Sequence, residues 1–535
     1  MRAATTVLLA ALASNGCAGA GFPDVVDARQ LMTPFGAPRI SRIRDAGGPS
    51  IPESGAWQGE PDGVAVPGEL LVIEGDNFGR LPTVSIGGRA TTIVARTEGG
   101  GIIARVPTGV PVGDASVVVS QPRGRAQKTF PVRRYAIVAH GGQVFVLGVD
   151  RDSATLIGKP FSLAGAHDLR ISGDGAAAYV IASRGDGDWL VAVDLCAPGG
   201  PRIATEKKLP HHGALLSSAM DAPVTAIVGD GEVTLLQTRH PRAPALYEPM
   251  DLPLGAKGPR AIELSPDGKL LALLVAEGNR LLALDVSSPP SAAVVTAVDL
   301  LPDQKLSLVR DLAFSSDGET LWIVSGDNES SLPALQPTRL TALRILAPTG
   351  DATPPPKVKE RLLSVWRTQS VPGAAAPIHI AVARGQPLAS GTTIRMPPEK
   401  AAVFVSSLND ALFKLGDLDL ATATGAKKAL QLWHPPEPGI MVRADINGGG
   451  GPLFTTREIL SSIDLTPDAQ LIVATAARIS TRPDITEGLQ LDFGVSYAPI
   501  FKSGVPPVFL PLAPLPLNDK TLKPPFHLGA VRIQP

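Results

Sequence analysis

The sequence predicts an all-β chain: a small antiparallel sandwich followed by a seven-bladed β-propeller that a C-terminal strand closes. Three observations predict it. Apolar runs are of strand length and separated by turn residues, one hairpin unit recurs at a fixed period, and Gly (55) and Pro (52) are abundant among the 535 residues, which suits many turns and few long helices.

The unit is clearest between Gly258 and Ser287. Two apolar runs, Ala261 to Leu264 and Leu270 to Val275, flank Pro266-Asp267-Gly268, which supplies a preset φ, an Asx-type turn and a position for φ > 0. The same hairpin returns around Asp174-Gly175, Asp317-Gly318 and Pro467-Asp468. The turn aspartates at 174, 267, 317 and 468 stand two, one and three periods of about 46 to 50 residues apart, a blade-length repeat. A degenerate copy fits at Leu215 to Val228 and another at Ile378 to Ser406, so six blades are accounted for.

The seventh is assembled from both ends. Tyr135 to Val138, Gln143 to Val149 and Thr155 to Leu163 lack an innermost strand, and Phe526 to Ile533 is a strand-like run without a blade. Pairing the two would close the ring and remove its open edges. Two later stretches, Leu346 to Val358 and Glu437 to Pro452, read as loops because of their prolines and the run Gly448 to Gly451, and Gly504 to Pro525 reads as an extended crossing segment.

Ahead of the ring, seven short runs between Pro38 and Arg134 predict the sandwich: Arg39 to Arg44, Glu69 to Glu74, Thr83 to Ile86, Thr91 to Arg96, Ile102 to Val106, Ala115 to Val119 and Thr129 to Val132. Asp45 to Pro67, with Trp57, is longer than such a unit needs and is expected to be a solvated insertion, with a binding loop as the alternative. Sandwich (38–134) and propeller (135–535) are each expected to own a core.

Two resemblances attach to these residues. Leu71-Val72-Ile73-Glu74-Gly75-Asp76-Asn77-Phe78-Gly79, with Val84-Ser85-Ile86-Gly87-Gly88 and Ile103-Ala104-Arg105-Val106-Pro107, resembles the IPT/TIG immunoglobulin-like family. Tyr135 to Gln534 resembles the YVTN/lactonase-like propellers through Leu264-Ser265-Pro266-Asp267-Gly268-Lys269-Leu270. That second resemblance implies a site on the propeller axis; Gly258-Pro259-Arg260 matches the start of the family's G-P-R-H segment, but Ala261 stands where its His would be.

The N-terminus reads as an export signal: Met1-Arg2, a short apolar segment from Thr5 to Ala13, then small residues. Ser14-Asn15-Gly16-Cys17 resembles a bacterial lipoprotein cleavage box, in which Cys17 would be the acylated first residue; cleavage after Ala18-Gly19-Ala20 is the alternative. The expected organisation is therefore a lipoprotein-type signal (1–17), a tether (18–37), the sandwich and the ring. The expected address is the bacterial cell envelope as an outer-membrane lipoprotein, or else the periplasm or medium. Only Cys17 and Cys196 exist, which leaves no intramolecular disulfide in the processed chain, and Cys196 is expected to fill a blade as a small apolar residue.

Chemistry is sparse at this level. Forty-nine basic and 50 acidic residues leave a formal net charge of −1, so nucleic acid is not an expected partner, and the membrane is reached through the lipid only. No H-E-x-x-H, paired C-x-x-C, G-x-S-x-G or phosphate loop is present, so no metal, cofactor or catalytic residue is assigned. Arg170, Arg260 and Arg310, at the innermost strands, and His167 and His379, near their starts, are the candidates to face the channel; the alternative is that each arginine pairs with a neighbouring carboxylate such as Asp168 or Asp311 and that the histidines are structural. The function expected is a non-enzymatic binding or interaction platform, monomeric, for an envelope protein, glycan or small ligand; the alternative is a lactonase-like hydrolase. Three or more ionisable groups converging on the axis would favour the hydrolase, and an apolar plug would favour binding through a face or loop.

Overall fold

The computed structural model describes residues 36–49, 62–229, 231–238, 240, 243–252, 259–275, 280–288, 291–299, 307–327, 339–346, 362–370, 376–382, 386–387, 393–394, 402–408, 439–445, 450–456, 458–481, 489–500, 506–515 and 529–535. Among these, no helix occurs and every regular element is a strand. Cys17 and the export segment, Trp57 and Phe526 lie outside the described residues.

Two four-stranded antiparallel sheets form the sandwich. One has the order Arg39–Asp45, Leu70–Asp76, Ile102–Arg105, Ile93–Arg96; the other Arg89–Thr91, Thr83–Ile86, Gly113–Gln121, Gly124–Val132. The run expected as one strand from Thr91 to Arg96 is two, because the chain leaves one sheet after Thr91 and enters the other at Ile93. Ile73, Ile86, Ile102, Val117 and Val119 are fully buried between the sheets, the alternation that a two-layer β unit requires.

Seven antiparallel sheets follow, each a blade. The innermost strands of the second to seventh blades are Ala166–Ile171, Gly213–Ser218, Pro259–Leu264, Ser307–Phe314, Ala376–Val382 and Ile459–Leu465. The first blade takes Arg134–His140, Gln143–Val149 and Ala154–Leu156 from the start of the ring, and its innermost strand is Ala530–Ile533 from the end. The pairing runs Ala530 to Ala139, Val531 to Val138, Arg532 to Ile137 and Ile533 to Ala136. The ring is thus seven-bladed and closed by the C-terminal strand, as the sequence predicts.

The repeated turn is one device built several times. Ser172 Oγ donates to Asp174 Oδ1 at 2.7 Å and Ser265 Oγ to Asp267 Oδ1 at 2.6 Å, while Gly175 and Gly268 take φ of +80° and +73°. A side chain at either glycine position would strain the backbone, so Asp-Gly is what the hairpin selects. Apolar strand faces are buried between neighbouring blades: Val180 and Val191 against Ile137 and Val146, Tyr179 and Leu190 against Leu216 and Ile227, and Val228 and Leu235 against Leu271 and Leu273. No blade buries its faces alone.

Two expected loops are partly strand. Gly439–Asp445 and Gly450–Thr456 are the outer strands of the sixth blade, although Gly448 to Gly451 reads as a loop. Val508–Leu515, within the expected crossing segment, is the outermost strand of the seventh blade. An edge strand needs hydrogen bonds on one side only, so Pro511 and Pro514 are tolerated there.

The sandwich is seated on the ring through the end of the segment expected to be solvated. Ala65 bridges Val132, and Val66 is buried in the core that the first two blades share. Cys196 Sγ lies 3.8 Å from Pro67 O and from Ala176 O, and a Cβ on Gly68 would stand 2.6 Å from Asp174 O. Arg105 reaches Asp174 at 4.0 Å. Cys196 is buried, in the apolar role expected of it.

Candidate functional site

Innermost strands carry two geometric features that decide which side chains reach the axis. Each innermost strand of the second to seventh blades has a register break near its start, as between Ala166 and Asp168, Pro259 and Ala261, and Val309 and Asp311. His167, Arg260 and Arg310 occupy equivalent bulge positions, five residues ahead of the turn serines Ser172, Ser265 and Ser315. A bulge re-aims the side chain it carries. Two residues ahead of those serines, and in the matching places of other blades, stand Arg170, Ser217, Glu263, Ala313 and Asp464.

A cavity of about 110 Å³ lies at the turn end of the ring, lined from the innermost strands of all seven blades. Its ionisable lining is Arg170, Glu263, Asp311, Asp464 and Arg532, so the axis is not plugged by apolar side chains. Of the residues named from sequence, Arg170 lines this cavity and pairs with Asp168 at 3.6 Å. Arg260 is exposed and stands at the opposite end of its strand, three residues before Glu263, roughly 10 Å of chain. His167 is exposed, its Nδ1 3.0 Å from Gly165 O and its Nε2 3.2 Å from Gly213 O, bridging two blades away from the cavity. The side chains of Arg310 and His379 lie outside the described residues.

Three of the aspartates are bound to backbone amides of the next blade. Leu216 N–H donates to Asp168 Oδ2 at 2.7 Å, Ile380 N–H to Asp311 Oδ2 at 3.0 Å and Ile533 N–H to Asp464 Oδ2 at 2.8 Å. Ser217 plays the same part between the third and fourth blades, accepting from Leu264 N–H at 2.8 Å. These bonds satisfy donors that an innermost strand, unpaired on its axial side, would otherwise bury.

Glu263 is arranged differently. Its Oε2 accepts from Ser217 Oγ at 3.2 Å. Burial raises its carboxyl above the usual range against the opposing pull of Arg170 and Arg532, with Asp311 adding to the rise. Arg532 donates through Nη1 to Val531 O at 2.6 Å and to Ser462 Oγ at 3.1 Å, and burial lowers its guanidinium to about 10, Arg170 acting in the same direction and Asp464 against it. A perturbed acid facing two cations inside a cleft marks a candidate functional site. Among the described residues, no group of three or more His, Cys, Asp or Glu could hold a metal ion.

Sequence reading misses Glu263, Asp464, Asp311 and Arg532 as lining of the cavity. The first two carry a readable signal: a charge two residues before the turn Ser or Thr, inside an otherwise apolar run, at the position where Arg170 stands in its blade.

No family model matches the chain, and no curated protein matches it. Solved structures are similar to it at low identity. A putative 6-phosphogluconolactonase from Bacteroides uniformis aligns at 12% identity and TM-score 0.43, covering 72% of this chain and 99% of that one. The periplasmic gluconolactonase PpgL of Pseudomonas aeruginosa aligns at 14% and 0.36, covering 56% and 90%. The Cps50 (Swd1) propeller domain of Myceliophteria thermophila aligns at 13% and 0.38, covering 62% and 90%. At these values the chemistry of the neighbours does not carry over to this chain.

Proposed function

We propose that the protein is an exported, lipid-anchored envelope protein whose propeller recognises a small polar molecule in its axial cavity. The observation that carries this reading is the convergence of Arg170, Glu263, Asp311, Asp464 and Arg532, from five blades, on one small cavity. Charged groups are costly to desolvate, and a ring that needed only rigidity would fill its axis with apolar side chains. The ligand is a free small molecule rather than a protein loop, because the cavity is of the order of a few waters in volume.

A hydrolase is the second reading, favoured by the five ionisable groups on the axis, which meet the condition set for it from sequence, and by Glu263 among them. A carboxyl whose pKa burial raises is shifted in the direction that suits a general acid on the leaving oxygen of a lactone or ester. Recognition is preferred because Asp168, Asp311 and Asp464 already hold backbone N–H groups, which weakens each as a base for water.

The test is a thermal-shift panel of small polar compounds on the full chain, since a ligand that binds only the folded state raises its melting temperature. Stabilisation by one chemical class that disappears in Glu263→Gln supports the axial site; stabilisation unaffected by Glu263→Gln and by Arg170→Met places the ligand elsewhere. Turnover of a lactone or ester panel, abolished by Glu263→Gln, would select the hydrolase.

A further inference from the structure

Four of the five ionisable groups that line the cavity are segregated across the ring; the fifth, Asp464 of the seventh blade, stands beside Arg532. Arg532 belongs to the first blade and Arg170 to the second, so the two guanidinium groups come from neighbouring strands. Glu263 belongs to the fourth blade and Asp311 to the fifth, neighbours on the far side of a seven-membered ring. Arg170 and Arg532 therefore line one side of the cavity, with Asp464 beside Arg532, and Glu263 and Asp311 line the opposite side, with Ser218 of the third blade in the lining between Arg170 and Glu263.

We propose that the cavity takes a small zwitterion, an α-amino acid or a molecule of the same charge layout, with its carboxylate against Arg170 and Arg532 and its ammonium against Glu263 and Asp311. This deepens the axial recognition reading and rests on it. Each alternative charge class meets an obstacle. A simple anion gains the arginines but brings nothing to Glu263 and Asp311 across the cavity. A simple cation gains the carboxyl wall but faces the arginines across it. A neutral polyol satisfies hydrogen bonds without using the separation of charge. A zwitterion is neutral overall, so it adds no net charge to the lining while matching both walls, which is how electrostatic complementarity confers specificity. The size agrees: about 110 Å³ accommodates a molecule of about half a dozen heavy atoms.

The arrangement also predicts a proton event. Around Glu263 stand Arg170, Arg532 and Asp311, with Ser217 donating to it, and burial favours its neutral form in the empty cavity. An ammonium placed beside it favours the carboxylate, so a proton held on Glu263 in the empty cavity would leave to solvent on binding.

The test uses calorimetry on the full chain with four probes of similar size: L-alanine, L-lactate, isopropylamine and glycerol. The expected result is L-alanine binding at least about tenfold tighter than each of the others, with net proton release when titrations in two buffers of different ionisation enthalpy are compared. Glu263→Gln, which keeps shape and removes the charge, is expected to abolish the release and weaken alanine by about tenfold. Glycerol or lactate binding more tightly than alanine overturns the zwitterion while leaving axial recognition standing. Binding of none of the four overturns it too, and the ranking on the parent chain stands whether or not the variant folds.

Discussion

The backbone N–H of Tyr135 donates to Oε1 of Gln534 at 2.7 Å, across 399 residues of sequence. The same side chain donates through Nε2 to Gly175 O at 2.7 Å, so one fully buried glutamine ties the closing strand to the first blade and to the turn of the second. The ring is therefore closed by side-chain as well as backbone bonds. A chain ending at Pro525 loses this glutamine and the buried Val531 and Ile533, each worth roughly 1.5 to 3 kcal/mol, and exposes the edges of two sheets. The expected outcome is aggregation or proteolysis of the truncated chain, read by its melting curve and by limited digestion; an unchanged melting temperature would refute closure. Gln534→Ala alone should cost about 1–3 kcal/mol, because it strands buried backbone groups.

The bonds from Asp464 to Ile533 and from Asp311 to Ile380 predict a second effect. Asp464→Ala removes the acceptor for a backbone N–H at the ring's closing joint, and a loss of about 1–3 kcal/mol is expected. Asp464→Asn retains an acceptor and should recover most of it. Denaturant midpoints of the two variants check this, and equal losses would mean that the charge, rather than the acceptor, is what the joint uses.

Seating of the sandwich on the ring predicts a change in thiol exposure. Gly68 has φ +86° and no room for a Cβ against Asp174 O and Ala176 N, so Gly68→Ala must separate the two units locally. Cys196 lies beneath Pro67. In a Cys17→Ser background, Cys196 is expected to be inert to a thiol reagent in the parent and to react in Gly68→Ala; equal reactivity would show that the seam does not protect it.

Glu69 makes stability depend on pH. It is buried, and burial, aided by the neighbouring Asp45, pushes its carboxyl from 4.5 up to about 9, against a hydrogen bond from Val66 N–H. Below about 4.5 the group is protonated folded and unfolded, and it costs nothing. Between that value and about 9 only the unfolded chain ionises, so stability falls as pH rises, by at most about 1.4 kcal/mol per pH unit. The melting temperature is expected to drop from pH 5 to pH 9, and Glu69→Gln to flatten the curve. A parent curve that matches the glutamine variant would contradict it.

Anchoring gives the fifth test. If Cys17 carries lipid, Cys17→Ser should move the protein from the membrane fraction to the soluble envelope fraction. Unchanged fractionation would remove the lipid anchor from the account.

The blades were legible because their period is local: Asp-Gly turns and apolar runs recur at one spacing, and the strand left without a blade at the C-terminus matches the blade left without a strand at residue 135. What sequence could not show was direction. His167 and Arg260 look axial because they begin innermost strands, yet the bulges there sit at the end of the strand away from the cavity, and a register break of one residue is invisible in a single sequence. Glu263 and Arg532 become neighbours only when the ring closes. Gly450–Thr456 and Val508–Leu515 were hidden by glycine and proline, which an outer edge tolerates.

The most direct test of the axial claim fills the cavity without touching its charges. Ala313 lines the cavity, carries no polar side-chain atom and occupies the position that Arg170, Glu263 and Asp464 occupy in other blades. Ala313→Phe should leave the ring folded, shown by a cooperative melt, and abolish the thermal stabilisation that small polar ligands give the parent. A folded Ala313→Phe protein that is stabilised as strongly as the parent would place recognition outside the axis and contradict the account.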